Sequence, residues 1–557
     1  MSHSADLEET GSTTAEVQGF LRGRSAGRQL AMGLLSSLLF FNAGLWPSRA
    51  ADRLEVEIDD VVLPVKVSDL GAWVRSEGKS RSELKTWLLL LDEDSRAGLM
   101  RLLEAPVLTR RSLGQQILRS WAAGPLLDAL RELIRVEGSR LVSSEEVLAT
   151  LESLLRRRKS VSTLDLLEAL PSERLRLDLD ALVLAASRWR RQMERHQRLT
   201  SNLASSLSVR RPLDQQMQLP SGSPTTAISM NTLQLPAAHR PGGLRVQLWM
   251  PPNSPESSEG VWVLLMPGLG GDPEHFHWLA RALAEQGWPV AVLEHPGSDA
   301  AAVQALLEGR QPFLGAKALR QRLQDMDVVI RSQRSGALTI PGERVVLIGH
   351  SLGALTALLA TGISPVDGLS DRCSDALEDL PLTNLSVLLQ CELAAAGVLK
   401  PPPPIPSVQA VVGLNSFGSL IWPSTPAVSI GQPLLLIGGT LDLITPPLSE
   451  QLELLDALGS HPASRAVIVE GASHFSPIRV EGQPGAANAN DLFKLSEELV
   501  GVQPLVVQQL MMNELITFLR QVEMSEPMGA SEHLQTGSIR WHRLNRRDAR
   551  GLVERSQ

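Results

Sequence analysis

Short, unbroken apolar runs recur through the second half of the chain, at residues 261–266, 289–293, 345–348, 408–414, 433–437 and 465–469. Runs of this length without polar alternation suit strands buried on both faces of a parallel sheet. Two further strand patterns, 229–235 and 244–250, precede them as an opening hairpin, and helical stretches at 277–286, 316–332 and 352–360 separate the later ones. A hairpin followed by strand–helix alternation predicts an α/β domain over 229–523, with a mostly parallel eight-stranded sheet and a closing helix at 491–522.

The first half reads differently. Residues 54–58 and 61–67 alternate as two short strands turned at Asp59-Asp60. Helical signals then dominate: Ser80 to Glu83 and Ser143 to Glu146 have capping-box spacing, Leu148, Leu151 and Leu155 lie on one stripe, and 175–189 reads as a further helix. Residues 51–203 are therefore expected to form a mostly helical domain, and 204–228, with its Pro-Ser-Gly-Ser-Pro, a linker. The polar segment 524–557 ends in Arg540, Arg543, Arg546, Arg547 and Arg550 and is expected to be a disordered basic tail.

Between the helix at 352–360 and the strand at 408–414 lies a long excursion, 362–407. It holds an amphipathic stretch and ends in Lys400-Pro-Pro-Pro-Pro-Ile-Pro406, a stiff extended spacer. A connection this long suggests a helical cap. The chain's only cysteines, Cys373 and Cys391, fall in it, and both a disulfide and two buried thiols are open.

At the other end, Arg22, Arg24 and Arg28 precede an apolar run, 30–46, followed by Ser48-Arg49-Ala50. We read 1–50 as a disordered leader plus a signal peptide cleaved after Ala50, with an uncleaved membrane anchor or a buried helix as alternatives. The expected location is the periplasm or another extracytoplasmic compartment, or a membrane surface reached through that segment. Over 557 residues, the net charge of −8 gives no case for nucleic acid.

The candidate chemistry begins at Gly349-His350-Ser351-Leu352-Gly353, directly after one apolar run and before a helix-forming stretch. Strand, G-x-S-x-G and helix together are the nucleophile elbow of the α/β-hydrolase fold. A serine needs a base, and the base needs an orienting acid, in the order Ser, Asp, His along such a chain. Asp442 follows the run at 433–437 and His474 the run at 465–469, which places both at carboxyl ends of strands with Ser351. The oxyanion donors are expected at the amide of Leu352 and, in Pro267-Gly-Leu-Gly-Gly271, at that of Leu269. Phe276, Trp278, Phe417, Trp422 and Phe475 lie beside these motifs and are expected at the substrate pocket, and His295 at its mouth or in a turn. His275 and His277 lack a third partner at metal-ligand spacing, and His350 reads as a packing group.

Pro267-Gly-Leu-Gly-Gly271, Glu294-His-Pro-Gly-Ser298, Gly349-His-Ser-Leu-Gly353 and Gly471-Ala-Ser-His-Phe-Ser476 together resemble a cyanobacterial α/β-hydrolase family with an N-terminal helical region of unknown function. More distantly they are similar to platelet-activating-factor acetylhydrolases and other carboxylesterase-like enzymes. The resemblance implies Ser351 as nucleophile, Asp442 as orienting acid and His474 as base. Pro267 departs from it, since such proteins commonly carry a histidine before the glycine. The expectation is a serine hydrolase of the carboxylesterase or lipase type, needing no metal or organic cofactor and acting on small-molecule or lipid esters. A thioesterase or peptidase using the same three residues, and a non-catalytic envelope scaffold, are the alternatives.

Overall fold

The computed structural model describes most of residues 53–109, scattered stretches between 134 and 169, residues 174–210, and 228–557 except 253–259, 308–309, 312–313, 379–382, 396–398, 400, 427 and 479–502. The leader 1–50, the second capping box and most of the expected linker lie outside the described residues. Those described fall into two compact units, divided between 187 and 188.

Among its described residues the first unit combines helices with a small sheet. β1 (Arg53–Ile58) and β2 (Val61–Lys66) form the expected hairpin, followed by α1 (Val67–Arg75), which buries Val67, Leu70, Trp73 and Val74. β3 (Pro106–Thr109), β4 (Ile134–Glu137), β5 (Ser160–Ser162), α2 (Thr163–Ala169) and β6 (Arg174–Asp178) complete its main elements. β6 pairs with β1 in parallel and with β4 antiparallel, giving a four-stranded sheet in the order β2-β1-β6-β4. The expectation of a helix at 175–189 fails at its start. Arg174-Leu-Arg-Leu-Asp178 alternates with period two, and sheet pairing takes it before the helix begins.

Helix α3 (Leu179–Ala204) carries the chain onward, and its residues from 188 group with the second unit, so the boundary falls earlier than 203. That unit is built on one sheet of eleven strands, not eight. Its strands are β7 (Val209–Arg210), β8 (Ser229–Ala237), β9 (Arg240–Met250), β10 (Val261–Met266), β11 (Val290–Leu293), β12 (Arg344–His350), β13 (Val408–Leu414), β14 (Leu434–Gly439), β15 (Arg465–Val469), β16 (Glu532–Thr536) and β17 (Ile539–Asn545). Around them lie α4 (His277–Glu285), α5 (Gly315–Arg334), α6 (Leu352–Leu359), α7 (Leu369–Glu378), α8 (Ser386–Ala395), α9 (Pro504–Met524) and α10 (Arg546–Ser556).

The central strands run β15-β14-β13-β12-β10-β11, all parallel, with antiparallel β9-β8 on one flank and β17-β16 on the other. Successive side chains go to opposite faces. Trp262, Leu264, Val345 and Leu347 join a core with α5 and α6, while Val263, Leu265, Val346 and Ile348 join another with α4 and α9. Burial on both faces is what the unbroken apolar runs require.

The segment 524–557 is an ordered hairpin and helix, so the sheet unit continues past 523 to the last residue. Alternating Ile539 and Trp541 are buried, and the arginines are held by acids: Arg543 by Glu514 and Glu532, Arg540 by Glu470, Arg550 by Asp456. Val209–Arg210, expected in a linker, adds an edge strand to β16. The insertion 362–407 contains α7 and α8, joined by a Cys373–Cys391 disulfide with Cα atoms 5.4 Å apart. Among the described residues no helix is long and apolar enough to cross a membrane.

Candidate active site

After β10 the chain crosses to β11 on one side, then returns to β12 on the other. That reversal opens a crevice at the carboxyl ends of β10 and β12, where α/β sheets bind ligands. Ser351 stands there, between β12 and α6, with φ 51° and ψ −115°. A non-glycine residue at positive φ is strained, and the turn persists because its neighbours fix it. A Cβ on Gly349 would lie 2.2 Å from the Gly353 carbonyl, and one on Gly353 would lie 2.1 Å from the Met266 carbonyl oxygen. Both glycines of the motif are thus sterically required. Their absent side chains let the elbow close on itself and on the end of β10.

The loop after β10 lies against the serine. A Cβ on Gly268 would sit 3.1 Å from Ser351 Cβ and 2.8 Å from His350 Nδ1. Leu269 follows in that loop, half-buried, and its N–H makes no backbone hydrogen bond among the described residues. Leu352 is the first residue of α6, so its N–H has no intrahelical acceptor.

Asp442 and His474 meet across the ends of β14 and β15. His474 Nδ1 donates to Asp442 Oδ2 at 3.0 Å. The same carboxylate oxygen accepts from Asn415 Nδ2 at 2.7 Å and Thr445 Oγ1 at 2.6 Å, while Oδ1 accepts from the amides of Ile444 and Thr445, both at 2.8 Å. Burial pushes the Asp442 carboxyl up, but the His474 charge and these hydrogen bonds outweigh it and hold the group down at about 2. It is ionised at neutral pH and can only accept, so the shared proton belongs to His474 Nδ1. A neutral imidazole in this tautomer carries its lone pair on Nε2, the atom a base uses.

His350 braces this arrangement. Its Nε2 donates to the His474 carbonyl at 2.9 Å, and the two rings lie 4.9 Å apart. Burial, then the neighbouring His474, pulls its pKa down to about 3, so it stays neutral. Asp442 and His474 are thus joined directly, and Ser351 is adjacent in sequence to the histidine that supports His474. No hydrogen bond links Ser351 Oγ to His474 among the described residues; such bonds are commonly long before substrate binds.

Most of the expected pocket residues are buried in the core, Phe276 with its ring 5.8 Å from that of His350. Phe276 and Trp278 are in the core shared with α4 and α9, Phe417 and Trp422 in the core on the other face, all 5% exposed or less. Each sits beside a motif in sequence, but its side chain takes the face turned into the core. Of mouth and turn, His295 takes the turn: its carbonyl accepts the Ser298 amide at 3.1 Å. It is buried behind the loop after β10, with Nδ1 on Asp325 at 3.0 Å, and burial pulls its pKa down to about 4. Phe475 remains half-buried beside the His474 ring, edge-on at 5.4 Å. His275 Nδ1 accepts the Asp272 amide, and His277 pairs with Gln247.

Several supporting residues had no sequence signal. Asn415 and Thr445 bind Asp442 from segments 27 residues before it and 3 residues after it. Arg322, on α5, is 0% exposed and donates to the carbonyls of Pro267 and Gly268 at 2.6 and 2.8 Å and to Ser298 Oγ at 2.8 Å. Asp325, one turn along, is occupied by Arg240, His239 and His295.

Sheet order, elbow and crevice define an α/β-hydrolase fold. Residues 50–178 match a family model described as an alpha/beta hydrolase of unknown function (DUF1400). The matched stretch precedes Ser351, Asp442 and His474. A search of curated proteins finds no match.

Proposed function

We propose that the chain is a serine hydrolase that cleaves carboxylic esters through an acyl-enzyme. The observation that carries this reading is the pairing of a strained Ser351 elbow with an ionised Asp442 bonded to Nδ1 of His474. Ser351 Oγ attacks the ester carbonyl while His474 Nε2 takes its proton, and Asp442 stabilises the imidazolium that forms. The Leu352 and Leu269 amides receive the developing oxyanion. His474 then protonates the leaving alcohol, and a water activated by the same nitrogen releases the acid.

An apolar or lipid-like acyl group fits the surroundings. Leu441 and Leu443, on either side of Asp442, are exposed, and Phe475 flanks His474. The insertion is the proposed cap, supported by its docking on the Asp442 loop through Leu385 N to Leu443 O and Ser386 N to Ile444 O. Export remains a proposal, and N-terminal sequencing of the cell-derived protein tests it: an intact Met1 contradicts cleavage after Ala50.

The test of the activity is hydrolysis of p-nitrophenyl esters of graded acyl length by wild type and Ser351→Ala. Turnover lost in the variant with its fold intact supports the reading. Equal turnover in both refutes it.

A further inference from the structure

Arg322 is an unusual buried cation, because its hydrogen bonds go to neutral groups. No carboxylate is hydrogen-bonded to it among the described residues; Asp325, three positions on, already accepts both forks of Arg240. The two terminal nitrogens of Arg322 donate to consecutive carbonyls of the loop after β10, 54 and 55 residues away in sequence. The second of these matters most. Gly268 C=O and Leu269 N–H belong to one planar trans peptide, so their oxygen and hydrogen point in opposite directions. The guanidinium at 2.8 Å and the Gly271 N–H at 3.2 Å hold that oxygen together, and so fix the direction of the Leu269 N–H. The loop that contains this peptide packs on the elbow, as the 3.1 Å between a Cβ on Gly268 and Ser351 Cβ requires.

We propose that Arg322 is a positioning residue of the oxyanion site: by gripping the Pro267 and Gly268 carbonyls it aims the Leu269 N–H toward the reacting carbonyl at Ser351. The inference rests on the hydrolase reading above. A charge-assisted bond to the Gly268 oxygen also polarises the peptide, which strengthens its N–H as a donor. Ser298 Oγ holds the third donor, Nε, and itself donates to the His295 carbonyl, so the guanidinium plane is anchored from behind. Burial pulls the guanidinium down to about 9, against the opposing charges of Asp325 and Asp299, and it stays cationic at neutral pH. Lysine, a point donor, cannot span two carbonyls in one plane.

The experiment compares full-length wild type, Arg322→Met and Arg322→Lys with a p-nitrophenyl ester and with a trifluoromethyl ketone that forms a tetrahedral adduct on the serine. Deleting an oxyanion donor costs roughly 100- to 1,000-fold in kcat in other enzymes. Arg322→Met should lose kcat on that order with KM within about threefold, and the ketone's inhibition constant should rise in step with the loss in kcat/KM. Arg322→Lys should fall between Met and wild type, and it carries the test if the Met variant does not fold. Folded variants with kcat within about threefold of wild type, or a loss confined to KM with unchanged ketone affinity, overturn the assignment. A wild type that neither turns over ester nor binds the ketone overturns the hydrolase reading itself, and is thereby distinguished from a failure of Arg322 alone.

Discussion

Replacing Asp442 with Asn changes one atom of a group whose two oxygens accept five hydrogen bonds. An amide has one acceptor, so one side of the new group must present N–H to donors. The milder choice keeps the carbonyl on the Ile444 and Thr445 amides and turns the NH2 toward Asn415, Thr445 Oγ1 and His474. His474 must then accept at Nδ1 and carry its proton on Nε2, where it can no longer act as a base. A wrong-tautomer histidine costs about 10⁴ in kcat in the serine protease case, and we expect a loss of 10³- to 10⁴-fold here. A stability change accompanies it. The carboxyl is held at about 2 from an ordinary 3.8, which corresponds to about 2 to 3 kcal/mol. Because the folded pKa is depressed, this stabilisation is fully present above pH 4 and disappears as the pH falls through about 2. Urea denaturation between pH 5 and 2 should show wild type losing this increment and Asp442→Asn lacking it throughout, with ester turnover measured on the same preparations. An Asn variant that keeps kcat within tenfold while folded would mean that another acid orients His474.

Two further outcomes follow from the geometry around the site. Gly268→Ala places a Cβ 2.8 Å from His350 Nδ1 and 3.1 Å from Ser351 Cβ, so kcat should fall at least tenfold and stability by about 1 to 3 kcal/mol; unchanged kinetics would contradict the close approach. Cys373→Ser opens a link spanning 18 residues, worth about 3 kcal/mol on a chain-entropy model, and should expose 362–407 to limited proteolysis; an equally resistant variant would contradict a stabilising staple.

The parallel strands were legible because burial on both faces leaves unbroken apolar runs, and the six central strands lie where those runs do. The elbow was legible because its glycines answer to local sterics. The end of the sheet was not. Arg543 reads as solvated in isolation, yet it is neutralised by Glu514 on α9 and Glu532 on β16 and lies over the Trp541 ring, partners that only the fold assembles. Adjacency in sequence does not give the face an aromatic takes: Phe276 is 0% exposed, while Phe475, one residue after His474, is half-buried. Arg322 was invisible for a related reason. Nothing in an amphipathic helix reveals that one of its arginines turns inward to two backbone carbonyls.

Whether Ser351 is an activated nucleophile is read out by active-site labelling. Wild type is treated with a fluorophosphonate, digested, and the modified peptide mapped by mass spectrometry. One adduct is expected, on Ser351, formed far more slowly in Asp442→Asn. An adduct on another residue, or none on the folded protein, would contradict it.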